Sequence, residues 1–285
     1  MKKKYLTRKT RKILHLVLIY VGITVITAAL VFPFLWMVST SFKEPAEIFT
    51  DIPHWIPKHI SLINYYKIWS PESGFPQNFK NSLIVATFTT IIAILLSTFA
   101  AYGLARFNFR GKNFFALGLL VTQMFPPVLL IIPIYLIMIG LRLVNTHAAL
   151  VITYCTFAVP FSTWMLYGYF ETLPAELEEA ALVDGCSRVG TLFRIILPLA
   201  APGIAAVALF SFILSWQEYM FALTLTRTAD MRTLPVGISM LIGFREVLWG
   251  QLMAGSVIVT VPVVVLFVYF QKYLIKGLTM GAVKG

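Results

Sequence analysis

Six long runs of apolar residues dominate this sequence. They cover approximately residues 13–38, 82–105, 114–140, 147–170, 201–223 and 252–271. A helix needs about 20 predominantly apolar residues to cross the hydrocarbon core of a bilayer, and each run is long enough. Hydrophobic residues make up 59% of the chain and charged residues only 12%, against about 25% charged residues in soluble domains. The sequence therefore predicts an all-α polytopic membrane protein with six transmembrane helices.

The distribution of Lys and Arg predicts the orientation of these helices. If the N-terminus is cytosolic, most of the 23 Lys and Arg residues fall in cytosolic segments, as the positive-inside rule requires. The first run is too long for the apolar part of a signal peptide, so we expect it to be retained. The predicted order is a cytosolic basic tail at 1–12, a first transmembrane helix at 13–38, an extracytoplasmic loop at 39–81, a five-helix core at 82–271 with a cytosolic loop at 171–200, and a cytosolic tail at 272–285.

The apolar runs carry almost no ionisable side chains. The second, third, fourth and sixth runs have none in their central parts, and the fifth has only Glu218, near its predicted outer end. An ion-coupled secondary carrier usually needs such groups to hold its ion, which makes that class the weaker alternative. The chain also lacks a G-x-x-x-x-G-K-[ST] phosphate loop and any catalytic or metal-ligand constellation in its runs. We therefore predict no enzymatic activity, no cofactor and no metal, with any transport powered by another protein.

The formal net charge of +11 does not require a nucleic-acid partner. Basic loops that orient transmembrane helices explain the excess of Lys and Arg, so we predict no binding to nucleic acid. The two cysteines are too few for a disulfide framework. Cys155 lies within an apolar run and Cys186 in a polar loop, so we do not expect them to pair.

The predicted cytosolic loop has the sequence signals of two short helices. Pro174 can open the first helix, and the stretch ELEEAALVD has high helix propensity. Gly185 stands where a left-handed residue would end that helix. Ser187 is a candidate N-cap for a second helix, RVGTLFRIIL, which Pro198 would end. On composition alone the loop is either a docking surface or an ordinary amphipathic loop.

The spacing of residues within this loop resembles a known signature. Glu179-Ala180-Ala181 is followed after three residues by Gly185, and after nine more by Ile195, one residue and Leu197-Pro198. The pattern is similar to the EAA signature, EAA-x3-G-x9-I-x-LP, of binding-protein-dependent ABC importer permeases. The resemblance implies the type I importer permease fold and a loop that docks on an ATP-hydrolysing subunit, with Glu179 as the acid that ties it there. The residues assigned to docking are Glu178, Glu179, Ala180, Ala181, Leu182, Asp184, Gly185, Ile195, Leu197 and Pro198.

Other segments extend the resemblance over nearly the whole chain. NYYKIW, FKNSLIVA, GLARFNFRG, RTLPVGISML and the closing KGLTMGAVKG are similar to the carbohydrate-uptake branch, and within it to the smaller, six-span permease of systems such as the maltose transporter. The resemblance implies a heterodimer with a second permease, two subunits that bind ATP, an extracytoplasmic solute-binding protein and a sugar substrate. It also implies the cytoplasmic, or inner, membrane of a prokaryote. Another solute, such as glycerol phosphate, remains an alternative within the family.

A cluster near the predicted outer end of the fifth run is a candidate for the sugar path. Trp216, Gln217 and Glu218 combine an aromatic face with hydrogen-bonding side chains, which suit the C–H faces and the hydroxyls of a sugar. An interfacial Trp is also typical of membrane anchors, and that alternative stays open. The resemblance implies that the outer loop at 39–81 meets the binding protein.

Overall fold

The computed structural model describes residues 8–50, 54–243 and 247–282, and their side chains between residues 12 and 273. All regular structure in these segments is helical, apart from one isolated bridge between Ile242 and Val247. The helices are α1 Arg8–Ser41, α2 Pro45–Ile48, α3 Ile63–Trp69, α4 Phe75–Arg106, α5 Lys112–Met124, α6 Ile131–Gly140, α7 His147–Glu171, α8 Glu176–Val183, α9 Arg188–Thr191, α10 Leu197–Leu199, α11 Ala201–Trp216, α12 Met220–Leu225, α13 Leu234–Ser239 and α14 Trp249–Ala282. The predicted all-α class is confirmed.

Four helices, α1, α4, α7 and α14, are long and apolar enough to cross a membrane. Two further candidates are pairs of helical segments that bend sharply at a short break. The described part of the chain therefore holds four candidate spans, or up to six if each bent pair is one span. Each of the four long helices contains one of the predicted runs, and α1, α4 and α14 extend several residues beyond theirs.

The predicted third span, 114–140, is not one continuous helix. Segments Lys112–Met124 and Pro127–Gly140 meet at an angle of 94°. Pro126 and Pro127 stand at the break, and neither has a backbone N–H to continue the helical hydrogen-bond ladder. Proline also disfavours the helical conformation in the residue before it, which here is Phe125. The prolines thus interrupt the predicted span, as their position in the apolar run indicates, and the interruption is a sharp break.

The predicted fifth span, 201–223, also ends early. Helix α11 stops at Trp216, and a separate short helix, α12, begins at Met220. The Glu218 carboxylate accepts hydrogen bonds from the backbone N–H groups of Phe221 and Ala222, at 2.9 and 3.0 Å. Because the first N–H groups of a helix have no partner within it, this carboxylate favours a new helix start there.

The predicted outer loop, 39–81, is shorter than expected. Helix α4 begins at Phe75, where Gly74 has a φ of 70°. Its first turns bind a later loop: the Asn81 amide donates to the carbonyl of Asp230 at 2.7 Å, and the Ser82 hydroxyl accepts from the N–H of Leu234 at 2.8 Å. These polar contacts extend α4 beyond the apolar run that defined the prediction.

The chain divides into two compact units. Unit 1 comprises residues 1–68 and 241–258, and unit 2 comprises residues 69–240 and 259–285. In unit 2, α4 and α7 run in the same direction, since Asn81 lies beside His147 at one end and Tyr102 packs on Phe170 at the other. Two buried apolar clusters stabilise this unit, one at each end of α7.

Candidate functional site

The first half of the loop at 171–200 has the predicted helix end and the predicted cap of the next helix, although α8 begins two residues after Pro174. Helix α8 runs from Glu176 to Val183, and Gly185 follows with a φ of 84°, in the left-handed region. The N–H groups of Gly185 and Cys186 bind carbonyls of the last turn. Ser187 caps the next helix, its hydroxyl accepting from the N–H of Gly190 at 3.1 Å. Both predicted capping residues are confirmed in these positions.

The second half of the loop departs from the prediction that Pro198 ends the helix. After α9 the backbone widens into a π-helical turn over Leu192–Ile196, where the N–H of Leu197 binds the carbonyl of Leu192. The chain then stays helical to Leu199, with Pro198 inside α10. Since Pro198 has no N–H for the usual helical bond, the wider turn lets the helix pass it. Leu199 is followed by an 80° bend into α11.

Glu178 anchors α8 to the end of α4. Its carboxylate forms an ion pair with the Nε of Arg106 and accepts a hydrogen bond from the Tyr102 hydroxyl at 3.0 Å. The same guanidinium donates to the carbonyl of Leu173 at 3.1 Å, just before α8 begins. The side chains of Arg106 and Glu178 are only 11% and 8% exposed, and theirs is the one ion pair among the described residues. One guanidinium thus holds both the entry to the loop and its first helix.

The residues assigned to docking divide between surface and interior. Those that are exposed are Glu179, Ala180, Asp184, Gly185 and Pro198. Those that are partly buried are Leu182, Ile195 and Leu197. Glu178 and Ala181 are buried, so the Glu178 carboxylate belongs to the inner framework of the loop and not to its surface. Val183, outside the assigned set, is 88% exposed and adds an apolar side chain to the surface.

The sequence analysis missed the role of Arg106 and Tyr102. Arg106 was counted only as a charge that orients the chain, because it lies 72 residues from Glu178. A signal was present in GLARFNFRG, where Arg106, unlike Arg110, directly follows the last residue of an apolar run. Only the parallel packing of α4 and α7 brings these two positions together.

The aromatic residue of the candidate sugar path is buried, unlike the exposed residues of the loop. Trp216 is only 2% exposed, and its indole N–H donates to the carbonyl of Val259 at 3.1 Å. Its ring stacks on Phe212 and meets the edge of Phe79, so no face of it is free for a sugar in this conformation. Gln217 is exposed and Glu218 is partly buried. The path through these residues stays a prediction.

Comparison with known proteins finds one matching family and a set of transport relatives. Residues 93–280 match the model of the binding-protein-dependent transport system inner membrane component. The chain is 40% identical over 276 residues to the trehalose/maltose transport system permease protein MalG of Thermococcus litoralis, which covers 96% of this chain and 99% of the relative. It is 36% identical to the arabinooligosaccharides transport system permease protein AraQ of Halalkalibacterium halodurans, over 98% of this chain and 99% of the relative.

A solved structure has the same fold. A chain in the crystal structure of a bacterial ABC transporter involved in the import of the acidic polysaccharide alginate superimposes with a TM-score of 0.78. The match covers 95% of this chain and 99% of that one, at 22% sequence identity. At this identity the similarity shows the fold, which is that of an ABC importer permease.

Proposed function

We propose that this chain, which belongs to the family of binding-protein-dependent transport system inner membrane components, carries a sugar or oligosaccharide inward across the cytoplasmic membrane. The chain is an ABC transporter permease, a transport component and not an enzyme. The observation that carries the sugar assignment is the set of relatives named for saccharides, which match over almost the entire chain. They are named for trehalose and maltose, for arabinooligosaccharides and for diacetylchitobiose.

The proposed topology has six spans with both termini in the cytosol. Each bent pair counts as one broken span, which adds two to the four long helices. Breaks of this kind are tolerated at membrane depth where protein or a water-filled path satisfies the freed backbone groups. The excess of Lys and Arg in the segments assigned to the cytosol supports this orientation. In the proposed orientation the loop at 171–200 lies in the cytosol.

The exposed face of this loop is the proposed docking surface for an ATP-binding subunit. Glu179 offers a carboxylate with no ion-pair partner among the described residues. The small side chain of Ala180 beside it allows the backbone of another subunit to come close. Val183 supplies an apolar contact at the end of the same helix. The buried bonds of Arg106 and Glu178 give this surface a fixed position on α4, so that a force on it reaches the membrane helices.

The family implies a partner ATPase and a solute-binding protein. We further propose a second permease as the heterodimer partner and two ATP-binding subunits, with ATP bound by those subunits alone. Lipid surrounds the remaining apolar faces of the spans. The outer segments of the chain meet the extracytoplasmic solute-binding protein.

Uptake measurements in a host that lacks its own sugar importers test this function. The chain is expressed with the transporter subunits encoded beside it, and uptake of labelled maltose, trehalose, diacetylchitobiose and arabinotriose is measured. We expect saturable uptake of at least one sugar that is lost when the partner ATPase is inactivated by substitution. Uptake that survives this inactivation and follows the ion gradient would identify a secondary carrier instead. Uptake of glycerol phosphate and of none of the four sugars would reject the sugar assignment.

A further inference from the structure

A cavity lies within unit 1, and none of its lining residues belongs to the loop at 171–200 or to the candidate sugar path. Its volume is about 300 Å³, at the lower end of the range of about 300–1,000 Å³ for small-molecule sites. One wall is the end of α1, with Trp36 and Thr40, followed by Lys43 just beyond the helix, and another is the start of α14, with Trp249 and Met253. The size suits one ring of a small solute.

The frame of this cavity is fixed by buried contacts. The side-chain amide of Asn64 donates to the carbonyls of Ser41 and Lys43, at 3.0 and 2.8 Å. Gly250, in the first turn of α14, lies so close to the Asn64 side chain that a Cβ at this position would overlap it. Asn64 thus contacts both the end of α1 and the start of α14, which form the two walls of the cavity.

The polar groups of the cavity retain hydrogen-bonding capacity. Thr40 is 6% exposed, and its hydroxyl has no hydrogen-bond partner among the described residues. The ammonium of Lys43, which is 3% exposed, donates to the carbonyl of His54 at 2.6 Å and has further N–H groups to offer. One oxygen of Glu47 accepts from the N–H of Lys58 at 2.9 Å, and a carboxylate can accept several bonds. A buried hydroxyl without a partner is costly, so a ligand group that bonds to Thr40 would remove this cost.

The charges of the lining select the class of ligand. Lys43 and Glu47 both line the cavity, so an anion would meet the carboxylate and a cation would meet the ammonium. A neutral molecule with many hydroxyls can bond to both and to Thr40. Trp249 is 41% exposed and offers an aromatic surface to an apolar face of the ligand. Hydroxyls at the edge and C–H groups on the face are features of a neutral saccharide ring.

We propose that this cavity is a saccharide subsite, which binds one neutral sugar ring between α1 and the start of α14. The proposal rests on the proposed function, and it places a contact for the transported solute on unit 1 of this permease. Trp249 supplies the stacking surface, whereas Lys43, Glu47 and Thr40 bind the ring hydroxyls.

Protection of an introduced cysteine tests the subsite directly. Met253→Cys is prepared together with Cys155→Ser and Cys186→Ser, and the full chain with its partner subunits is placed in lipid nanodiscs. The rate of labelling by a small methanethiosulfonate is measured with maltose, trehalose, diacetylchitobiose, arabinotriose or inorganic phosphate. We expect saturable protection by at least one sugar and none by phosphate. Ile60→Cys, at a position that is 79% exposed and outside the cavity, serves as the control and should show no protection.

Substitution of the stacking residue gives the second readout. Trp249→Ala should raise the half-protecting sugar concentration roughly tenfold, whereas Trp249→Phe, which keeps an aromatic ring, should raise it less. Absence of protection by all four sugars, or equal protection in Trp249→Ala, would overturn the subsite. Protection by phosphate alone would make it an anion site and overturn the proposal as well. Since labelling is measured without transport, loss of uptake with intact protection would reject the proposed function and leave the subsite standing.

Discussion

Two glutamates at opposite ends of unit 2 perform similar structural tasks by different chemistry. Glu178 holds the helix α8 of the docking loop through an ion pair to Arg106 and a bond from Tyr102. Glu218 holds the short helix α12 through two backbone N–H groups and a bond from the Tyr154 hydroxyl at 2.7 Å. In each case a tyrosine on a long membrane helix donates to the carboxylate. Only at the loop end does a positively charged side chain, Arg106, also bind the carboxylate.

The difference shows how each end is tied to the rest of unit 2. At the loop end the ion pair joins segments 72 residues apart, so α8 is attached to α4 as one rigid piece. At the other end Glu218 accepts one bond from Tyr154, 64 residues away, and two from N–H groups within four residues of its own position. The loop end, which alone has an ion pair, therefore suits the transmission of force, and the Glu218 end mainly fixes a local turn.

The largest effect is expected from the loss of the guanidinium. Arg106→Ala leaves the Glu178 carboxylate buried without its cation, and breaking a buried pair in this way costs about 3–5 kcal/mol. We expect a lower thermal midpoint of the purified permease and loss of ATPase-coupled uptake. The thermal midpoint is measured in nanodiscs, and Arg110→Ala, which changes an exposed Arg, is the control. A midpoint equal to that of the control would show that the pair does not fix the loop.

A smaller effect is expected at the other glutamate. Glu218→Ala removes the acceptor for the Tyr154 hydroxyl and for the N–H groups of Phe221 and Ala222, at a cost of about 1–3 kcal/mol for each of these groups that stays buried and unsatisfied. Because no buried charge is left unpaired, we expect the thermal midpoint to fall less than in Arg106→Ala. Hydrogen exchange of the α12 amides should become faster, whereas exchange in α8 should not change. Gln217→Ala is the matched neighbour, and equal effects of the two substitutions would contradict the capping role.

The turn at Gly185 gives a third test, confined to the loop. A side chain at a φ of 84° is strained, so Gly185→Val should destabilise the loop by roughly 1 kcal/mol or more. Gly185→Asn should cost less, because Asn tolerates the left-handed region better than β-branched residues. Limited proteolysis of the loop in membranes would measure both. Equal cleavage rates in Val, Asn and wild type would show that the turn does not depend on glycine.

The sequence could predict the features that depend on neighbours in the chain. The left-handed cap at Gly185 and the N-cap at Ser187 follow from residue chemistry within one or two turns, and both are present. The break at Glu218 was missed, because hydropathy does not register where a helix loses its N–H donors, whereas Pro126 and Pro127 in the third run indicate an interruption there. The Arg106–Glu178 pair was missed for another reason: it depends on the packing of α4 against α7, which no local pattern encodes.

We propose that two adjacent acids in the loop at 171–200 have separate tasks: Glu178 holds the loop in place, and Glu179 binds the ATPase. Retention of the ATP-binding subunit by the purified permease pair tests this most directly, with Glu179→Lys compared against wild type. A charge-assisted contact of about 1.5–3 kcal/mol corresponds to roughly a tenfold to hundredfold loss of affinity. We predict that loss, together with uncoupled ATP hydrolysis and an unchanged thermal midpoint of the permease. Normal retention of the ATPase and normal solute-stimulated hydrolysis in Glu179→Lys would contradict the account, and the loop would be an ordinary amphipathic segment.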